Sequence, residues 1–126
     1  MATDLFPIIS TADVERSLRF YRDLLGGTVS FQYPGPDGAI AYAGVDLGSS
    51  QIGIGNDPAA PAGGPISLWV YVDDCDGLVA RLADAGVGIL QAPRDEPWGE
   101  RVARVADPDG IQVHVASRGV ERDPGG

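Results

Sequence analysis

The chain of 126 residues has no lysine, a single histidine and a single cysteine. A lone Cys75 excludes an intramolecular disulfide and suits a reducing, cytoplasmic compartment. His114 is the only imidazole, so any role as metal ligand, catalytic base or polar cavity group that calls for histidine falls on that residue. All the basic side chains are arginine, which reads as codon bias. No apolar run approaches membrane-spanning length, and the N-terminal MATDLFPIIS lacks a basic region followed by a long apolar one. Neither a transmembrane segment nor a signal peptide is therefore expected. A glycine-rich phosphate loop and a nucleophile elbow are also missing.

Eighteen acidic residues against nine arginines give a net charge of −9 and a pI near 4.3. That balance disfavours nucleic acid, whose binding needs basic patches to displace counterions. The acids are scattered, as on a solubilising surface, and the same charge would attract a cationic small molecule. An apolar content of 44% suits one ordered domain with an adequate core.

An ungapped internal repeat organises the chain. An offset of 61 residues pairs Asp13 with Asp74, Asp23 with Asp84, Gly27 with Gly88, Pro36 with Pro97, Gly38 with Gly99, Asp46 with Asp107 and Gln51 with Gln112. The predicted boundaries are a module over residues 4–55, a linker over 56–65 (NDPAAPAGGP), a second module over 66–118 and a flexible tail over 119–126.

Each half has the same element order. LFPIIS reads as a strand and DVERSLRFYRDLLGG as a helix with Val14, Leu18, Tyr21 and Leu25 on one face, capped by Asp13 and stopped by Gly26. TVSFQY, AIAYAGV and SQIGIG follow as strands. In the second half ISLWVYV is the strand, and DCDGLVARLADAG the helix with Leu78, Leu82 and Ala85 as its stripe. Asp74 and Gly86 are its cap and stop, and VGIL, RVARVA and IQVHVA complete the set. The expected fold is α+β: two tandem βαβββ modules forming a curled mixed sheet around a cavity.

TADVERSLRFYRDLLGG, VYVDDCDGLVARLADAG and above all PWGERVARVADPDGIQVHV resemble the vicinal oxygen chelate superfamily over residues from about 4 to 118. That superfamily contains glyoxalase I, extradiol dioxygenases and the bleomycin- and fosfomycin-resistance proteins. Its metal-dependent members take four ligands from the first and last strands of each module, usually His or Gln and Glu. By this resemblance the four positions fall on Phe6, Gly53, Ser67 and His114. Phe6 and Gly53 have no side-chain donor and Ser67 is a poor one, so no metal is expected. Gln51 and Gln112 could add only amide donors.

Strand alternation places Ser67, Trp69 and Tyr71 on the cavity face, with Phe6, Ile8, Gln51, Gly53, Gln112 and His114, while Leu68, Val70 and Val72 pack under the helices. Aromatics with a few amides, a hydroxyl and an imidazole suit a small-molecule pocket. Each has a plainer reading. Phe6 and Ile8 can simply fill the barrel, Trp69 and Tyr71 can be core, and His114 can be a cavity hydrogen-bonding group without catalysis. Trp98 is either a rim lid or a loop anchor. Cys75, beside Val79 on the apolar side of its helix, reads as a buried, inert thiol.

LWVYVDD and a histidine at position 114 resemble the metal-free bleomycin-resistance members, which bind a cationic glycopeptide in grooves of a homodimer. The resemblance implies a cytoplasmic, homodimeric, cofactor-free protein that sequesters a drug or secondary metabolite, cationic or aromatic, bound by Phe6, Ile8, Gln51, Ser67, Trp69, Tyr71, Trp98, Gln112 and His114. The alternatives are an enzyme of the same fold and an interaction module with a self-filled cavity. The enzyme would be a metal-dependent lyase or dioxygenase with relocated ligands, or a metal-free isomerase or cyclase using His114 as base.

Overall fold

Asp13 and Asp74 start the two helices in the same way. Each lies in extended backbone, and its carboxylate accepts a backbone N–H three residues on, at 3.0 Å from Arg16 N and 3.0 Å from Gly77 N. Each cap thereby satisfies one of the donors that a first helical turn leaves unbonded. Gly26 and Gly86, at φ 81° and 88°, end the helical segments in the left-handed region that a Cβ would strain. The computed structural model describes Met1 and residues 4–118, and the expected tail lies outside the described residues.

The chain divides into two compact units, Met1–Pro61 and Ala62–Gly126. In the first, β1 (Ile8–Thr11) is followed by α1 (Val14–Leu18), a π-helical continuation (Arg19–Leu24), β2 (Thr28–Pro34), β3 (Ile40–Leu47) and β4 (Ser50–Asn56). The sheet order is β1-β4-β3-β2, with β1 parallel to β4 and the other pairs antiparallel. The second unit repeats this with β5 (Leu68–Tyr71), α2 (Cys75–Asp84), β6 (Gly88–Asp95), β7 (Glu100–Ala106) and β8 (Gln112–Arg118), in the order β5-β8-β7-β6. The α+β class and the tandem βαβββ order are as expected. No helix among the described residues is long and apolar enough to cross a membrane.

Both cores form between a helix and one face of its own sheet. Ile9, Ala43, Val45, Ile52 and Ile54 are buried in the first unit with Val14, Leu18, Phe20 and Tyr21. Here the helical face differs from expectation, because Phe20 joins it and Leu25 is only half-buried. The wider π turn changes the angular step, so two adjacent aromatics both turn inward. Their rings meet edge to face, with centroids 4.8 Å apart.

In the second unit Ala103, Val105, Val113 and Val115 are buried with Cys75, Val79 and Leu82. The α2 stripe is therefore Cys75, Val79 and Leu82 rather than Leu78, Leu82 and Ala85. Leu78 is half-buried and Ala85 is exposed. The phase is set at the start, where Asp74 caps the helix and the Cys75 thiol donates to the Val115 carbonyl at 3.3 Å.

The first strand is shorter than LFPIIS. Leu5 and Phe6 precede it, and Pro7 has no N–H for the ladder, although its carbonyl accepts from Gly53 N at 2.9 Å. The repeat also slips. Ile8 pairs with Gly53 and Trp69 with His114, as the 61-residue offset requires (69 − 8, 114 − 53). Along β3 and β7, however, Gly44 and Arg104 are equivalent, an offset of 60 (104 − 44). The turn before β8 is longer than that before β4. The buried Asp107 carboxylate organises it by accepting Asp109 N and Ile111 N, both at 2.8 Å.

Two outcomes test this packing. Leu82 is fully buried, so Leu82→Ala should lower stability by about 2–5 kcal/mol in urea unfolding. Burial, and secondarily the Asp76 charge, raises the Cys75 pKa above its ordinary value. The thiol therefore stays protonated to higher pH than a free cysteine. Native protein at pH 8 should resist a disulfide reagent that modifies the urea-unfolded chain rapidly.

Candidate functional site: an aromatic platform on the second sheet

Alternation along β8 sends Val113 and Val115 to the helix and leaves Gln112, His114 and Arg118 on the opposite face. Parallel pairing sets Trp69 beside His114 and Tyr71 beside Ala116. The Trp69 and His114 rings stack, with centroids 5.1 Å apart and planes 18° from parallel. Tyr71 meets Trp69 edge on at 6.1 Å, and the Arg118 guanidinium lies 4.0 Å over the Tyr71 ring. Trp69 and Tyr71 remain 43% and 47% exposed, so the rings form an open platform rather than core. Arg104, the cross-strand partner of His114, donates from Nε to the Gln91 side chain at 3.2 Å.

The other expected residues are distributed differently. Ser67 is exposed just before β5, and Gln112 is exposed at the start of β8. Trp98 lies in the β6–β7 turn, where its indole N–H donates to Glu100 at 2.7 Å. It takes no part in the ring contacts among the described residues.

Phe6, Ile8 and Gln51 belong to the first unit, where all three are exposed and Gln51 Nε2 donates to Asp46 at 3.2 Å. That sheet has aromatics of its own that the sequence reading passed over. Phe31 and Tyr33 are exposed, and Phe31 lies 6.4 Å from Tyr33 and 6.2 Å from Tyr42. Alternation in TVSFQY could have flagged the first two. Arg104 was missed because its place depends on cross-strand register, and Arg118 because β8 runs beyond IQVHVA, although alternation from His114 could have flagged it.

The four positions to which the resemblance assigns metal ligands do not fit an ion. A Cβ placed at Gly53 would lie 2.8 Å from Tyr42 Cζ and 2.9 Å from Cε2. The tyrosine ring therefore occupies the room that a donor side chain at position 53 would need. Phe6 offers no donor, and the one strong donor, His114, lies against Trp69. Among the described residues no group of three or more His, Cys, Asp or Glu is placed to hold an ion.

Comparison with known proteins places this geometry in context. The chain is 26% identical over 117 residues to an uncharacterized protein of Mycobacterium bovis, covering 84% of this chain and 77% of that protein. It is 26% identical over 128 residues to a probable lactoylglutathione lyase of Synechocystis, covering 94% and 98% respectively. The fosfomycin resistance protein of Listeria monocytogenes superposes with a TM-score of 0.75 at 11% identity, covering 96% of this chain and 97% of the other, a likeness of fold. The family model for the Glyoxalase/Bleomycin resistance protein/Dioxygenase superfamily matches residues 5–115, and the chain belongs to that superfamily.

Proposed function

We propose that the protein is a metal-independent binding protein that sequesters a small, partly aromatic molecule, a drug or secondary metabolite, in the cytoplasm. The observation that carries this reading is the Trp69–His114 stack, open to solvent and flanked by Tyr71. A preformed ring surface needs little ordering when a flat ligand lands on it. Each added aromatic pair contributes about 0.5–1.5 kcal/mol beyond area burial. His114 orients the ligand by hydrogen bonding, and Gln112 and Ser67 are polar groups of the same unit. Arg104, Arg118 and Glu100, the cross-strand partner of Arg118, put charge of both signs on this face, beside rings that favour an aromatic or cationic ligand. The room taken by Tyr42 at Gly53 supports metal independence. The fosfomycin resistance protein supports a resistance role by its fold alone.

A fluorescence screen of aromatic antibiotics, with mass spectrometry of the recovered compound, tests the reading. A ligand should bind and return unchanged. Trp69→Ala, shown folded by circular dichroism, should weaken binding about tenfold or more, the equivalent of about 1.4 kcal/mol. His114→Gln should lose only about one hydrogen bond, roughly 0.5–1.5 kcal/mol. Turnover abolished by His114→Gln at unchanged affinity would replace sequestration with general-base catalysis by His114.

A homodimer is part of the proposal. Phe31, Tyr33, Ile66, Trp69, Tyr71 and Leu90 are large apolar side chains left exposed, and the family resemblance implies that a second copy of the chain covers such faces. Light scattering at micromolar concentration should give twice the 13.1 kDa chain mass. A monomer at every concentration would remove the dimer from the model.

A further inference from the structure

The pairing of the second sheet sets four side chains in one lateral row across all its strands. Trp69 on β5 is opposite His114 on β8, His114 is opposite Arg104 on β7, and Arg104 is opposite Gln91 on β6. Residues paired across strands share a face, so the whole row lies on the platform side of the sheet. Trp69 is on one side of His114 and Arg104 on the other. The next row is Tyr71, Ala116, Val102 and Arg94. Its middle pair is small and buried, so the floor beside His114 and Arg104 is apolar.

The other arginines on these strands are matched. Arg94 is paired with Glu96 at 2.8 Å, and Arg101 with Asp76 and Asp95 at 3.2 and 3.3 Å. Arg118 lies over the Tyr71 ring and has Glu100 as its cross-strand partner. Glu100 itself accepts the Trp98 indole N–H at 2.7 Å. Arg104 is half-buried, and its Nε donates to the neutral Gln91 side-chain oxygen at 3.2 Å. Among the described residues no carboxylate lies within ion-pair distance of it. A half-buried cation loses hydration that one neutral amide restores only in part. Gln91 stands on the β6 side, away from His114, and leaves the two terminal amino groups of Arg104 without a partner among the described residues. Two parallel N–H donors of that kind fit the two oxygens of a carboxylate.

We infer that the molecule bound at the platform carries a carboxylate, which Arg104 receives through its terminal amino groups while the ring of the same molecule packs on Trp69 and His114. Arg104 is then the residue that sets specificity. The inference rests on the reading of the second sheet as a ligand site, and it narrows the ligand from aromatic molecules in general to aromatic acids. A primary amine beside His114 would meet the Arg104 charge across one strand spacing, about 5 Å. Glu100 does not offset that repulsion, because it is engaged by Trp98 and faces Arg118.

Indole-3-acetate, indole-3-acetamide and tryptamine present one ring with a carboxylate, a neutral amide and a cation, and are the probes. In amide NMR titrations of the full chain the acid should saturate at millimolar concentration and shift Trp69, His114, Arg104 and Gln91. The amide should bind about tenfold more weakly, and tryptamine more weakly still. Arg104→Gln should bring the acid down to the level of the amide. Arg104→Lys, which keeps the charge without the fork, should fall between. Arg81→Gln removes an equal charge from the exposed side of α2 and should leave all three affinities as they were. Equal affinity for acid and amide, no binding of the acid at about 10 mM, or an acid preference that survives Arg104→Gln would overturn the inference. The acid-to-amide ratio of the unaltered chain, with Arg104→Lys, decides the matter even if Arg104→Gln fails to fold. Trp69→Ala, shown folded, separates the inference from the reading beneath it. Loss of every probe in Trp69→Ala, with acid and amide equal in the unaltered chain, keeps the platform and removes the carboxylate. An acid preference that Arg104→Gln abolishes and Trp69→Ala leaves untouched keeps the anion site and removes the platform.

Discussion

Parallel pairing between the first and last strand of each module is the constraint on which the other features rest. Two parallel strands cannot be joined by a tight turn, so the chain between them must cross over. Here the crossing is a helix followed by two antiparallel strands, and the helix covers one face of the sheet. The same pairing sets Ile8 beside Gly53 and Trp69 beside His114. A shift of one residue would turn every side chain to the opposite face and bury the histidine under the helix. The Asp107 turn, with its buried carboxylate, delivers β8 in the register that prevents this.

Much of this was legible in the amino-acid order. Asp13, Asp74, Gly26 and Gly86 are local signals, and each does in the structure what its chemistry implies. Strand alternation put Trp69, Tyr71 and His114 on one face, and the rings meet there. What was not legible depended on geometry that a fixed period cannot express. The π turn at Arg19–Leu24 brought Phe20 inward, and the one-residue slip moved Arg104 opposite His114. Trp98 shows a different limit: its side chain is bound to Glu100 two residues away, which neither of its expected roles required. Tyr42 was invisible for the same reason as Arg104, since its place over Gly53 is a cross-strand relation.

The modules share a backbone and have diverged in charge. The second sheet carries Arg94, Asp95, Glu100, Arg101, Arg104 and Arg118 besides its histidine, whereas the only charged residue on the strands of the first is Asp46. Net acidity of the whole chain conceals this contrast, because a sum over residues contains no positions. Duplicated units that keep hydrogen-bonded turns and helix caps are free to differ where side chains face outward.

The tyrosine across Gly53 also bears on how such a chain can change. A carboxylate introduced at 53 by itself collides with the Tyr42 ring. Trimming Tyr42 by itself empties space beside a residue with nothing to fill it. The two positions are therefore coupled, since what can stand at 53 depends on where the ring at 42 lies. A four-donor set would in addition require donor side chains in place of Phe6 and Ser67.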